Sequence, residues 1–152
     1  MRTLDKVEDM RIATLEAGVD WNFEGYGDYL ESIERRGLGI HFGGYVGHTP
    51  VRLYVMGDEA YEREATASEI EEMKRVVADS IRAGALGFSS DRAGFHLGDG
   101  GRPVPSVAAS QAETEALLRV PSEIEQGVLH VAAGEEFSWI YDFQKEIGTT
   151  VN

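Results

Sequence analysis

The sequence contains no cysteine among its 152 residues. This absence excludes a disulfide framework and thiolate metal ligands, so a reducing cytoplasm is the expected compartment. No apolar run approaches the roughly 18 residues that a membrane-spanning helix needs, and the N-terminus lacks the apolar core of a signal peptide. We therefore expect no membrane partner.

Positive charge is also scarce. The chain has 14 Lys and Arg residues against 27 Asp and Glu residues, a formal net charge of −13. We expect no nucleic-acid partner, because binding a phosphate backbone requires clustered basic residues. Most of the acidic residues lie in predicted helices, which is typical of a solvated surface that keeps a protein in solution.

What the sequence does contain is an alternation of short apolar runs with helical patterns. The runs at 38–46, 85–89 and 127–132 are typical of strands buried on both faces. Residues 148–152 look like the opening of a fourth strand.

The segments between these runs carry helix signals. A capping-box pattern at Thr66 and Glu69, followed by apolar residues at helical spacing, predicts a first helix. Ser110 opens a second helix, which Pro121 should kink or end. Apolar residues within 135–147 predict a third.

This order of elements predicts an α/β fold with parallel strands and right-handed crossovers. Two architectures fit it about equally: an open doubly wound sheet, and part of a (β/α)8 barrel, since a complete barrel needs about 250 residues. No G-x-G-x-x-G follows the first strand, which weakens a dinucleotide-binding interpretation. We expect one domain over 1–152, with a helical lead-in over 1–36 and alternating strands and helices over 37–152.

Four segments resemble the D-aminoacylase-like amidohydrolases, the N-acyl-D-amino-acid deacylases. They are W-x-F-x-x-Y-x-x-Y-L at 21–30, V-G-H-x-x-x-R at 46–52, V-M-G at 55–57 and G-A-x-G-x-S at 84–89. The similarity is closest to a branch that continues as S-R-x-x-x-H-x-x-x-x-G-x-P-V-P, here over 91–105 with Asp91 in place of the serine. The resemblance favours the barrel and implies a partial TIM-type barrel with about half of its strands.

The resemblance also implies an activity. Such enzymes use zinc or a similar divalent metal to activate water against the amide carbonyl of an N-acyl amino acid or a related small amide. Their ligands come from an H-x-H on the first strand, later histidines and an aspartate, with a cysteine in the D-aminoacylase type. This sequence has neither H-x-H nor cysteine. We therefore expect an internal fragment with an incomplete metal site and no activity alone.

A second hypothesis stays open: a non-catalytic α/β binding or assembly module derived from such a barrel. Partial barrels leave strand edges unpaired, so either hypothesis is compatible with a homo-oligomer. A serine hydrolase is not supported, because Ser89 and Ser90 do not lie in a G-x-S-x-G elbow.

Candidate substrate-binding residues follow the predicted strand ends, where barrels build their active sites. These candidates are His48 and Arg52 after the first strand, and Asp91, Arg92 and His96 after the second. A guanidinium suits a substrate carboxylate, although a salt bridge to an acidic residue of the protein explains Arg52 equally well.

The other histidines and the aromatic residues have more structural predictions. His130 is the candidate metal ligand, while His41 is predicted to be a hydrogen-bonded residue in the middle of a strand. The aromatic side chains between 21 and 29 are predicted to pack under a helix rather than to stack on a ligand.

Overall fold

The computed structural model describes residues 10–132 and 138–149. Over these ranges the elements are α1 (Ile12–Gly18), α2 (Tyr26–Arg36), β1 (Val46–Gly47), α3 (His48–Met56), α4 (Ala67–Arg82), β2 (Gly87–Asp91), α5 (Gln111–Glu123), β3 (Val128–Ala132) and α6 (Trp139–Ile147). Short 3-10 turns occupy Gly57–Tyr61, Asp99–Gly101 and Pro105–Ala108. Within the described ranges, no helix combines the length and apolarity needed to cross a membrane.

The three strands form one parallel sheet in the order β1-β2-β3. Phe88, in the central strand, is level with Val46 on one side and Leu129 on the other. Helices α3, α4 and α5 connect and cover the strands. The predicted α/β class with parallel strands is confirmed.

The first predicted strand is largely wrong. Residues 38–45 adopt no regular structure, and β1 contains only Val46 and Gly47. His41 consequently lies in an exposed coil and not within a strand. Four glycines between 37 and 44 explain the difference, because glycine raises the entropic cost of extended structure and offers no side chain to bury.

The predicted helices agree with the structure more closely than the first predicted strand does. The Thr66 hydroxyl accepts a hydrogen bond from the Glu69 N–H at 3.3 Å, and the Glu69 carboxylate accepts one from the Thr66 N–H at 2.7 Å. This capping box opens α4 as predicted. Pro121 does not end α5, because the helix continues to Glu123.

The C-terminal predictions are tested only in part. The third predicted helix is present as α6, which begins at Trp139, and residues 133–137 lie outside the described part. Gly148 ends this helix in a left-handed conformation with φ of 66°. Residues 150–152 of the predicted fourth strand also lie outside the described residues.

The two faces of the sheet differ in chemistry. Phe88 and Leu129 are buried against the helices and belong to a core with Val51, Met73 and Leu117. Because side chains alternate along a strand, the intervening Ser89, Asp91 and His130 lie on the other face. There His130 and Val128 are exposed. We call this second surface the open face of the sheet.

Candidate functional site

The start of α3 places His48 directly after β1, at the carboxyl end of the strand. Its side chain is buried and lies between two polar partners. Its Nδ1 is 2.9 Å from the Ser90 hydroxyl, and its Nε2 is 2.9 Å from the Glu113 carboxylate. Since a carboxylate only accepts, Nε2 carries the proton and Ser90 donates to Nδ1.

One turn further along α3, Arg52 reaches the same carboxylate. Its NH1 donates to the two oxygens of Glu113 at 2.6 and 2.5 Å. Its NH2 donates to the carbonyls of Ala60 at 3.1 Å and Arg63 at 2.7 Å, after the end of α3. The guanidinium is fully buried. These contacts match the interpretation of Arg52 as a salt-bridge residue. A contact between Arg52 and a substrate stays a prediction, and it would require the hydrogen bonds from Arg52 to Glu113 to break.

His48, Arg52, Ser90 and Glu113 together form what we call the Glu113 cluster. Glu113 itself was not among the residues predicted from the sequence. Its one signal is its position three residues after Ser110, where a glutamate usually completes a capping box. The Ser110 hydroxyl does accept the Glu113 N–H at 3.1 Å, but the carboxylate turns into the core toward α3. Its partners lie 61 and 65 residues away in the sequence.

The charges in this cluster follow from its burial and its hydrogen bonds. Burial opposes ionisation of Glu113, but hydrogen bonds from His48 and Arg52 outweigh it and lower the pKa of the carboxyl group. Burial lowers the pKa of His48, against the opposing influence of Glu113. The cluster therefore holds a carboxylate, a guanidinium and a neutral imidazole.

Ser90, His48 and Glu113 are hydrogen-bonded in a row, as the hydroxyl, imidazole and carboxylate of a nucleophilic triad are. Their location argues against that chemistry. Ser90 is only 2% exposed and lies on the helix-covered face of the sheet, where a substrate has no access. The carboxylate is also held by Arg52. The cluster is therefore a polar connection between β2, α3 and α5.

Arg92 is likewise directed into the protein. Its NH1 donates to the Ala109 carbonyl at 2.7 Å and to the Thr114 hydroxyl at 3.0 Å, both near the start of α5. This arrangement fixes the end of β2 against the next helix. A substrate contact for Arg92 stays a prediction.

Asp91 and His96 form a separate pair at the carboxyl end of β2. The Asp91 Oδ1 accepts the Ala93 N–H at 2.8 Å, and its Oδ2 is paired with the His96 Nδ1. Both side chains are partly exposed. The structure thus separates the five predicted substrate-binding residues into three that are turned inward and two that face solvent.

His130 projects from the open face of β3. Its ring stacks on Tyr45, with centroids 5.8 Å apart. In the sheet His130 is level with Ser89 of β2, whereas Gly87 is level with Val128, and an added Cβ at Gly87 would come within 1.8 Å of the Val128 carbonyl oxygen. Metal ligation by His130 stays a prediction.

The described residues do not fit a metal site of their own. Both ring nitrogens of His48 are engaged by the Glu113 cluster, and Nδ1 of His96 is engaged by Asp91. Over 10–132 and 138–149 there is no group of three or more His, Cys, Asp or Glu side chains that could hold an ion.

The aromatic residues before and within α2 pack on one another, and their predicted packing under a helix stays a prediction. Phe23 and Tyr29 meet edge to face at 5.2 Å, and Tyr26 and Tyr29 at 5.7 Å. The Tyr26 hydroxyl also donates to the Gly44 carbonyl at 2.6 Å. These rings line one wall of a cleft of about 720 Å³ between α2, α3 and α4.

No family model matches the chain. It is similar to an N-acyl-D-glutamate deacylase of Alcaligenes xylosoxydans xylosoxydans, with 35% identity over 104 residues, which are 68% of this chain and 19% of the relative. A D-aminoacylase of the same organism is 32% identical over 76 residues, 50% of this chain and 15% of the relative. The chain therefore spans less than a fifth of the length of these two relatives.

Solved structures of related enzymes share the fold. A D-aminoacylase crystal structure, said to define a novel subset of amidohydrolases, matches with a TM-score of 0.66 and 27% identity, over 85% of this chain and 26% of that one. An N-acyl-D-glutamate deacylase from Bordetella bronchiseptica, complexed with zinc and a phosphonate inhibitor, gives a TM-score of 0.68 at 23% identity, over the same shares. The second likeness bears on the fold alone.

Proposed function

This chain belongs to the D-aminoacylase-like group of the amidohydrolases, and from that premise we propose that it forms one part of a metal-dependent hydrolase of N-acyl amino acids. The bond cleaved is a non-peptide C–N bond of a small amide. The observation that carries the proposal is the parallel sheet with its helices, which matches a D-aminoacylase over 85% of this chain. The polar residues at the carboxyl ends of the strands agree with it.

The proposed architecture is a partial (β/α)8 barrel in a single domain. Two features support it. All three strands are parallel with their connecting helices on one side, and the open face carries polar residues such as Ser89, Asp91 and His130, as the inner wall of a barrel active site would. An open doubly wound sheet would have helices on both faces.

The proposed cofactor is a divalent metal, with zinc as the first candidate. A related D-aminoacylase is described as having a binuclear metal centre, and a related deacylase was solved with zinc. When bound, such a metal activates water toward an amide carbonyl. His130 is the proposed contribution of this chain, because it projects from the open face; the remaining ligands would come from outside the described residues.

The Glu113 cluster has a supporting role in this proposal. It joins the carboxyl ends of β1 and β2 to the beginnings of α3 and α5 through buried hydrogen bonds. Side chains that contact a substrate need such a rigid base, since misplacement by about 1 Å is enough to reduce activity severely.

The experiment compares the isolated chain with a chimera. In the chimera, this chain replaces the matching segment of an N-acyl-D-glutamate deacylase. We expect the purified chain to hold less than stoichiometric zinc by plasma mass spectrometry and to release no glutamate from N-acetyl-D-glutamate. The chimera should bind zinc and hydrolyse the same compound.

Two outcomes would contradict the proposal. Zinc-dependent turnover by the isolated chain would show that it needs no further segment. A folded chimera that neither binds zinc nor turns over substrate would favour the alternative, a non-catalytic α/β binding or assembly module.

We also propose a cytoplasmic location without nucleic-acid or membrane partners, which fractionation of the source cells can check.

A further inference from the structure

The Asp91–His96 pair is the polar group at the carboxyl end of β2 that the structure leaves available to a ligand. The central strand directs Phe88 and Ser90 into the helix-covered core, so Asp91 belongs to the open face. Asp91 and His96 are 30% and 39% exposed, in contrast to the buried side chains of the Glu113 cluster.

The backbone holds this pair in place. The His96 N–H donates to the Ala93 carbonyl at 3.0 Å, and the His96 carbonyl accepts the Val104 N–H at 3.0 Å. The Asp91 carbonyl accepts a hydrogen bond from the Ser106 hydroxyl. The loop after β2 is therefore fixed on both sides of His96, which orients the imidazole before any ligand arrives.

The partner of His96 also fixes its tautomer. A carboxylate only accepts hydrogen bonds, so the proton of a neutral His96 lies on Nδ1 and is donated to Asp91. The Nε2 then carries a lone pair, and within the described residues it makes no hydrogen bond. An oriented acceptor of this kind is suited to an N–H donor.

An aromatic side chain, Phe95, lies beside the ring that carries that acceptor. The ring of Phe95 meets the His96 ring edge to face at 4.6 Å, and 78% of Phe95 is exposed. An N–H donor that lies next to an acyl chain would place the chain against Phe95 while its N–H points at Nε2. The amide of an N-acyl amino acid has this combination.

We propose that His96, oriented by Asp91, is a substrate-binding residue whose Nε2 accepts a hydrogen bond from the amide N–H of an N-acyl amino acid, with Phe95 contacting the acyl group. This inference rests on the proposed function and names a binding group within it. Asp91 acts through His96 and is a positioning residue.

The test uses the whole chain with ¹⁵N-labelled histidine and follows the ring nitrogens by NMR. N-acetyl-D-glutamate should shift the Nε2 resonance of His96, while the resonances of the exposed His41 stay in place. The N-methyl derivative of the same compound lacks the N–H and should leave Nε2 of His96 unchanged. If His96 had only a structural role, its Nε2 resonance would respond in the same way to both compounds.

Variants give the matching affinities. Loss of one hydrogen bond in His96→Gln or of its orientation in Asp91→Asn should weaken binding of N-acetyl-D-glutamate roughly tenfold or less. The control His41→Gln should bind like the unmodified chain. The assignment would be overturned if the Nε2 resonance of His96 responds equally to both compounds, responds to neither, or responds only to added zinc.

These results separate the two proposals. If the chimera is inactive but Nε2 of His96 distinguishes the two compounds, the binding assignment stands and the hydrolase proposal fails. If the chimera is active and His96 does not respond, the binding assignment alone is wrong.

Discussion

At the scale of single residues, the most consequential group is the carboxylate of Glu113. It is buried with Arg52 and His48, so each depends on the others for compensation of its desolvation. Two of these three residues, His48 and Arg52, could be predicted from the sequence because both follow a strand end in a family motif. Glu113 was not identified, because its one local signal, three residues after Ser110, predicts a helix cap and not a buried charge, and its partners are distant in sequence.

Substitution of Glu113 by glutamine should destabilise the fold strongly. It leaves the guanidinium of Arg52 buried without a counter-charge, which costs about 3–5 kcal/mol. The free energy of unfolding from urea titration measures this. Glu115→Gln in the same helix should change it by about 0.5 kcal/mol or less, and equal values for the two variants would refute the argument.

A second substitution keeps this prediction testable if the single variant does not fold. The double variant Arg52→Met, Glu113→Gln removes both charges and should recover part of the lost stability, because no charge is then buried without a counter-charge. A double variant that is less stable than Glu113→Gln would show that Arg52 contributes by its contacts with the Ala60 and Arg63 carbonyls and not by its charge.

The same cluster predicts a loss of stability in acid. The pKa of His48 is lowered by burial, so below its ordinary value of 6.5 the unfolded chain binds a proton that the folded chain does not. The lowered pKa of Glu113 acts in the same direction as pH falls below its ordinary value of 4.5. Urea unfolding at pH 7.5 and pH 5.5 should show lower stability at the acidic value. His48→Gln should reduce the dependence between these two values, whereas His41→Gln should not.

At the scale of elements, the sequence predicted helices better than strands. The capping box of α4 and the Ser110 cap of α5 are local signals within four residues, and both are present in the structure. A strand depends on a partner elsewhere in the chain. In the glycine-rich segment 38–45 the apolar pattern alone could not show that only Val46 and Gly47 would pair with β2.

The contact between β2 and β3 requires glycine at position 87. A Cβ at Gly87 would lie 1.8 Å from the Val128 carbonyl oxygen and 2.5 Å from its nitrogen, so the strands would have to separate. Gly87→Ala should therefore lower the thermal midpoint well below that of the unmodified chain. Gly94→Ala is the matched control, because an added Cβ there meets no atom within 4 Å. Equal midpoints for the two variants would contradict this account of the strand pairing.

At the scale of the whole molecule, the described part presents a sheet with one face packed and one face open. Its outer strands β1 and β3 each pair on one side only within the described residues. Exposed apolar side chains near the sheet include Phe42, Leu86 and Val128. Such edges and faces favour self-association.

We therefore expect the isolated chain to form oligomers in solution. Light scattering over a range of protein concentrations should give a mass above that of one chain, and the mass should rise with concentration. Val128→Lys places a charge at an exposed position of the open face and should shift the distribution toward the monomer. A concentration-independent monomer would refute the prediction and would show that these surfaces are compatible with water as they stand.

The Glu113 cluster also has a consequence for the order of events during synthesis. Its groups are separated by 42, 61 and 65 residues along the chain, so large loops must close before any of its hydrogen bonds can form. Contacts of such long range slow folding. Until Glu113 has left the ribosome, Arg52 has no carboxylate to accompany it into the core and must keep its charge in water. The hydrogen bonds that join β2, α3 and α5 therefore form late in folding, after the chain has been synthesised through α5.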